Sequence, residues 1–280
     1  MGHEYVYKFI SQIWYSINSS SYTHTVRCNN QNINLQKLIC LLCVNSCYSW
    51  NKNLKYANQS ATAMTYFPLL NKQFTSPEIH AIDLSPASIV IRESSPEGTY
   101  LQLNAYINEQ LINKNAKVLF GGYLETRHLY QNSPHFSNPA KNRNIHLGWD
   151  IWAPDFTDLY APLPLIVHSF AYNDQILDYG ATIVFSCTLQ DTHSYLLMGH
   201  LSLKSIENLA VGQQFNAGEV VAQLGPKAEN GGWPPHLHLQ WILDMNGYEG
   251  DYPGVCSEDE IEYQSVNCPD PSFLPLSFTT

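Results

Sequence analysis

Pro234-Pro235-His236-Leu237-His238-Leu239-Gln240-Trp241 is the stretch on which the fold turns. The proline pair imposes an extended entry. From His236 onward, apolar and polar residues alternate with the period of two that a β-strand requires. Leu237, Leu239 and Trp241 therefore face a core, and His236, His238 and Gln240 share the opposite face. Two imidazoles so spaced either both hold one metal ion, or one binds the ion while the other reaches the water beside it.

Working outward, Leu165–Phe170, Ala181–Ser186 and Ser194–Met198 are β-rich runs, each followed by turn residues. Val211–Gly225 reads as a hairpin around Asn216-Ala217-Gly218. Upstream, alternation predicts short strands over Ile79–Leu84, Ala87–Ile91 and Ala116–Phe120. Apolar residues at 101, 103, 106, 107, 111 and 112 predict one amphipathic helix, Leu101–Ile112. The fold class is mainly β, an antiparallel sheet folded over to bury one face, with one helical region on its N-terminal side. From Gly247 the chain is acidic and broken by Pro253, Pro269, Pro271 and Pro275, as suits a segment wrapping the surface. The organisation expected is a poorly specified tail (1–63), a helix-bearing lead-in (64–139) and a catalytic β domain with its wrapping segment (140–280). The break at Met64 predicts either a translation start there or a loosely ordered tail before it.

At 44% hydrophobic and 14% charged residues, the 280-residue chain is a folded globule and not a disordered one. Five of its fourteen basic residues but a single acid, Glu4, fall within residues 1–63, so against a net charge of −10 for the whole chain the remainder carries −14. An acidic body repels nucleic acid. Seven cysteines at irregular spacing make a poor disulfide framework and favour a reducing compartment. Cys40, Cys43 and Cys47 lack the second pair that a zinc knuckle needs. No signal peptide opens the chain, and Ile39–Val44 is too short to span a bilayer. A cytoplasmic location is favoured, with the cell envelope as the alternative.

The chemistry sits in three segments. The strand already quoted supplies His236 and His238. His146-Leu147-Gly148-Trp149-Asp150 supplies an imidazole and a carboxylate, brought together by a bend at Gly148 in preference to a helical turn. Two histidines and a carboxylate suit zinc, and no cysteine or further histidine near them closes the site, so an open, catalytic arrangement is expected. Gly199-His200-Leu201-Ser202 ends a β-rich run, where the His200 imidazole can project over a sheet edge and handle a proton or an oxyanion. The remaining histidines (His3, His24, His80, His128, His135, His168 and His193) have no partner motif and read as surface or satisfied core residues.

His-x-x-x-Asp, then Gly-His-Leu-Ser, then His-x-His resembles the lysostaphin-type, or LytM-like, zinc metallopeptidases. The likeness includes Tyr160-Ala161-Pro162-Leu163 and Val211–Gly225, and so covers roughly residues 140–245. It implies Zn2+ held by His146, Asp150 and His238, with His200 and His236 as catalytic residues acting on the water and the transition state. It also implies an antiparallel β-sandwich and barrel-like hybrid with the ion on the floor of a groove. The expected activity is metallo-endopeptidase cleavage of glycine- or D-alanine-containing links in bacterial peptidoglycan. The alternatives are a non-catalytic module binding a peptide or partner on the same fold, or an intracellular amidase acting on a small metabolite.

Two departures bear on substrate choice. Glu229-Asn230-Gly231-Gly232-Trp233-Pro234-Pro235 replaces the small turn usual in cell-wall enzymes, so Asn230, Trp233 and Trp149 are expected to shape the substrate groove. Met198 stands where tyrosine is common. A narrower resemblance, over about residues 78–275, is to the peptidase-like middle domain of proteins that join a kinase-like phosphotransferase to a class III aminotransferase. It rests on Ile82–Ser85, Gly121–Arg127, Tyr252-Pro253-Gly254 and Cys268-Pro269-Asp270, and implies an aminotransferase or phosphotransferase as functional partner.

Overall fold

The computed structural model describes residues 66–70, 73–92, 95–129, 142–190 and 192–277, with the backbone of short strands at 25–28, 31–34, 137–138 and 141–142. The rest of residues 1–63, expected as a tail, lies outside the described residues. The chain divides into two units, Met1–Met64 and Thr65–Thr280. In the first, β1 (Thr25–Cys28) pairs antiparallel with β2 (Gln31–Asn34).

In the second unit, β3 (Ile79–Ala81) leads through helix α1 (Pro96–Asn113) to β4 (Val118–Gly121). Ser95 starts the helix by accepting a hydrogen bond from the Gly98 amide at 3.0 Å, and Pro96 supplies its first turn. These start signals place its N-terminus five residues before the apolar pattern begins. Leu103 and Ile107 are its buried face, packed with Ile82, Leu84 and Leu119. The minor pairs β5 (Ser137–Asn138) and β6 (Lys141–Asn142) follow. Next come β7 (Ile145–His146), β8 (Trp149–Trp152) and β9 (Asp158–Tyr160). The long strands are β10 (Leu165–Asn173), β11 (Gly180–Leu189) and β12 (Thr192–Leu201). The chain closes with β13 (Gln214–Phe215), β14 (Val220–Gln223), β15 (His236–Ile242), β16 (Val255–Cys256) and helix α2 (Ile261–Asn267).

Eight strands form one sheet in the order β13-β10-β11-β12-β15-β8-β4-β3. The molecule is mainly β, as its alternating runs require. Three local expectations are corrected. The sheet is mixed, because β3 and β4 pair in parallel: α1 carries the chain across between them, and a helical crossover returns the second strand in the direction of the first. Val211–Gly225 is no hairpin, since β13 pairs with β10 and β14 with β9. Asn216 to Gly218 moves the chain between sheets. Ala87–Ile91 forms a turn and irregular chain, with Asp83 accepting from the Ser85 amide and the Ser88 hydroxyl. Such local side-chain bonds compete with a strand ladder.

Both faces of the central strands are covered. Leu165, Phe185, Leu196, Met198, Leu237 and Leu239 belong to the larger core on one face. Val184, Leu197 and Ile242 pack on the other against Leu147, Tyr252 and Cys268. Among the described residues no helix is long and apolar enough to cross a membrane.

Candidate metal centre

Strand register builds the site. His238 of β15 lies opposite Asp150 of β8 on one side and Gly199 of β12 on the other, while Leu239 lies opposite Trp149. Directly paired residues share a face, so Asp150 joins His238 and Trp149 turns into the core, edge-on to Phe120 at 5.5 Å. The expectation of Trp149 in a substrate groove is thereby corrected: one residue of alternation separates it from the site. Gly148 lets β7 and β8 fold against His238, because a Cβ there would lie 2.4 Å from the imidazole Cε1.

The His146 Nε2, Asp150 Oδ1 and His238 Nδ1 atoms converge. The separations are 2.9 Å between the two nitrogens, 3.3 Å from His146 to Asp150 and 3.2 Å from His238 to Asp150. A four-coordinate zinc ion with bonds of about 2.0–2.2 Å sets its ligand atoms roughly 3.3–3.6 Å apart, so the triangle is slightly tighter than a loaded site. Hydrogen bonds on the far side of each ring assign the lone pairs. His146 Nδ1–H donates to the Gly122 carbonyl at 2.9 Å. His238 Nε2–H donates to Gln240 Oε1 at 2.9 Å, and the Gln240 amide is itself fixed by donating to Pro253 O and Cys268 Sγ. Both inward nitrogens therefore lack a proton, and with the carboxylate oxygen they place three lone pairs around one point. A cation resolves that arrangement, and the donor set suits zinc.

Two further imidazoles border the site. His236 Nδ1–H donates to Pro234 O and His200 Nδ1–H to Asn230 O, both at 2.8 Å, leaving each Nε2 as an acceptor. The two rings lie 4.2 Å apart, and Trp152 stacks on His236 at 5.4 Å and 15°. His200 arrives by a bulge: Ile183 pairs with Met198 but Ala181 pairs with Leu201, which leaves one extra residue in β12. The bulge swings the imidazole to the metal side, and His200 takes the left-handed backbone conformation, φ +62°.

Burial keeps the His146, His200 and His236 imidazoles neutral. Burial, aided by the Arg127 cation, pushes His146 down to about 4. Burial also lowers His200, well below the usual range, and His236. Burial opposes ionisation of Asp150, but the Arg127 cation, 2.6 Å from Oδ2, holds the carboxyl well below its ordinary value.

These groups line a cleft of about 300 Å³, whose walls also include Arg127, Tyr179 and Trp233. Of the expected groove residues, Trp233 lines the cleft. Asn230 is fully buried and does not line it; its side chain accepts from the Gly232 and Trp233 amides and donates to the Gly225 and Trp233 carbonyls, so it braces the loop. Sequence reasoning missed three contributors. Tyr179 contacts His238 Nε2 at 3.4 Å from the turn before β11, Gln240 orients His238, and Arg127 grips Asp150. Gln240 alone carried a signal, its place on the histidine face of β15.

No family model and no curated protein matches this chain. Among solved structures it is similar to the catalytic domain of the antimicrobial peptidase lysostaphin from Staphylococcus simulans, at 17% identity and TM-score 0.30, over 44% of this chain and 80% of that one. It is similar to the catalytic domain of the prophage-encoded protein EnpA from Enterococcus faecalis, at 19% identity and TM-score 0.30, over 40% and 80%. A zinc-containing peptidase from Vibrio cholerae is similar at 21% identity and TM-score 0.28, over 37% and 29%.

Proposed function

We propose that this chain is a zinc-dependent metallo-endopeptidase of the lysostaphin type, hydrolysing peptide bonds of the kind that cross-link peptidoglycan. The observation that carries the reading is the convergence of three lone pairs within 2.9–3.3 Å, beside two imidazoles with free acceptor nitrogens. His146, Asp150 and His238 hold the ion. When bound, zinc supplies a Lewis acid that polarises the scissile carbonyl and acidifies a water at neutral pH.

The rest is the work of the side chains. The neutral Nε2 of His200 or His236 accepts the proton that water gives up as it adds to the carbonyl. The resulting imidazolium returns the proton to the amine as the C–N bond breaks. The carbonyls of Asn230 and Pro234 hold each Nδ1–H, so that both rings present the correct tautomer. Burial favours the neutral ring, which keeps the base available at pH 7. Trp233 gives the cleft a bulkier wall than a glycine-rich turn would.

The test is metal content together with hydrolysis of peptidoglycan and oligoglycine, comparing the parent chain with His200→Ala. Zinc-dependent turnover that the substitution abolishes is expected. A zinc-loaded protein that is inert, but binds the same peptides with an affinity indifferent to metal and to His200→Ala, would make it a binding module instead.

A further inference from the structure

Asp150 has two oxygens, and only one faces the histidines. Oδ2 accepts from Arg127 Nη1 at 2.6 Å. Arg127 is 1% exposed and is the largest fully buried side chain among the described residues. Its Nε donates to Glu125 Oε2 at 2.7 Å, and the other Glu125 oxygen accepts from the Leu84 amide at 2.9 Å. The guanidinium also lies over the Trp152 ring, 5.9 Å from its centroid. Room is kept for it by Gly122, at φ +98°, where a Cβ would fall 1.8 Å from Nη2.

We infer that Arg127 is a positioning residue of the metal centre, fixing the Asp150 carboxylate so that Oδ1 alone is offered to the ion. The inference rests on the metal-binding reading given above. A carboxylate free to rotate could present either oxygen or both. A guanidinium at 2.6 Å, itself braced by Glu125, removes that freedom. Its planar fork spans both carboxylates at once, which a lysine ammonium, a single point of charge, does not reproduce. The pair is buried on both sides, with Asp150 2% exposed, so neither partner has water as a substitute. Arg127 also neutralises part of the carboxylate charge, which leaves the bound ion the stronger Lewis acid. A residue that merely tied the Gly121–Arg127 segment to β8 would affect folding and leave the metal's surroundings as they were.

The experiment measures zinc affinity by chelator competition and the visible absorption of the cobalt-substituted protein, for the full chain and for Arg127→Met and Glu125→Gln. Arg127→Met is expected to weaken zinc binding about 10–100-fold, the usual cost of removing a partner of a metal ligand, and to alter the cobalt bands. Glu125→Gln leaves the guanidinium in place but loosens it, and is expected to weaken binding toward the lower end, about tenfold. It decides the matter if Arg127→Met does not fold. Affinities within twofold of the parent and unchanged cobalt spectra in the folded variants would overturn the inference while leaving the metal site intact. A parent chain that binds no zinc would overturn the metal reading, and this inference with it.

Discussion

Replacing Gly148 by alanine adds one methyl group and should disable the metal site. The backbone at 148 is not in the left-handed region, so the conflict is purely steric. The new Cβ would meet His238 Cε1 at 2.4 Å and Nε2 at 2.6 Å, against the roughly 3.5 Å or more of an ordinary carbon contact. Relief requires about 1 Å of movement, and the ring cannot retreat without losing Gln240 Oε1 at 2.9 Å or shifting Nδ1 from its 3.2 Å approach to Asp150. Overpacking of this kind costs about 1–3 kcal/mol of stability in the metal-free protein. The metal term is more diagnostic. At zinc one hundred times its Kd the parent gains about 2.7 kcal/mol, which raises Tm by about 5–10 °C for a chain of this size. A hundredfold loss of affinity leaves about 0.4 kcal/mol at the same zinc concentration, a shift of about 1–2 °C. Thermal melts with zinc and with chelator measure both quantities. A Gly148→Ala protein whose zinc-induced shift equals the parent's would refute the reasoning.

Other outcomes follow from the same geometry. His200→Ala should lower kcat on a cleavable peptide by about 10²–10⁴-fold while zinc content, measured by elemental analysis, stays at the parent level. In chelator, stability should fall as pH drops from about 6.5 toward 4: folded His146 is lowered to about 4, so the unfolded chain binds more protons in that window. His146 alone contributes roughly 3 kcal/mol there, His200 and His236 add in the same direction, and urea melts at both ends would show no such loss if the buried histidines were charged. Ser95→Ala removes the cap of α1 and should cost about 1 kcal/mol in a chemical melt, with metal binding unchanged.

Much of the site could be read from local spacing. Alternation in β15 placed His236, His238 and Gln240 on one face, and the bend at Gly148 sufficed to bring His146 within 3.3 Å of Asp150. The same rule, applied to β8, would have turned Trp149 away from the cleft, because its neighbour Asp150 faces the metal. What stayed hidden depends on distant parts of the chain. Arg127 sits in irregular chain with no periodicity, and its partner Asp150 is a strand away. The bulge that turns His200 inward is a property of the pairing between β11 and β12 and not of Gly199-His200 alone. The parallel edge arises because α1 intervenes between β3 and β4, a relation that strand propensity does not encode.

The most direct test is anomalous diffraction at the zinc edge from crystals of the zinc-loaded chain. A single ion bonded at about 2.0–2.2 Å to His146 Nε2, Asp150 Oδ1 and His238 Nδ1 is the expected result. Crystals in which those two imidazoles instead share a proton, with no ion between them at saturating zinc, would contradict it.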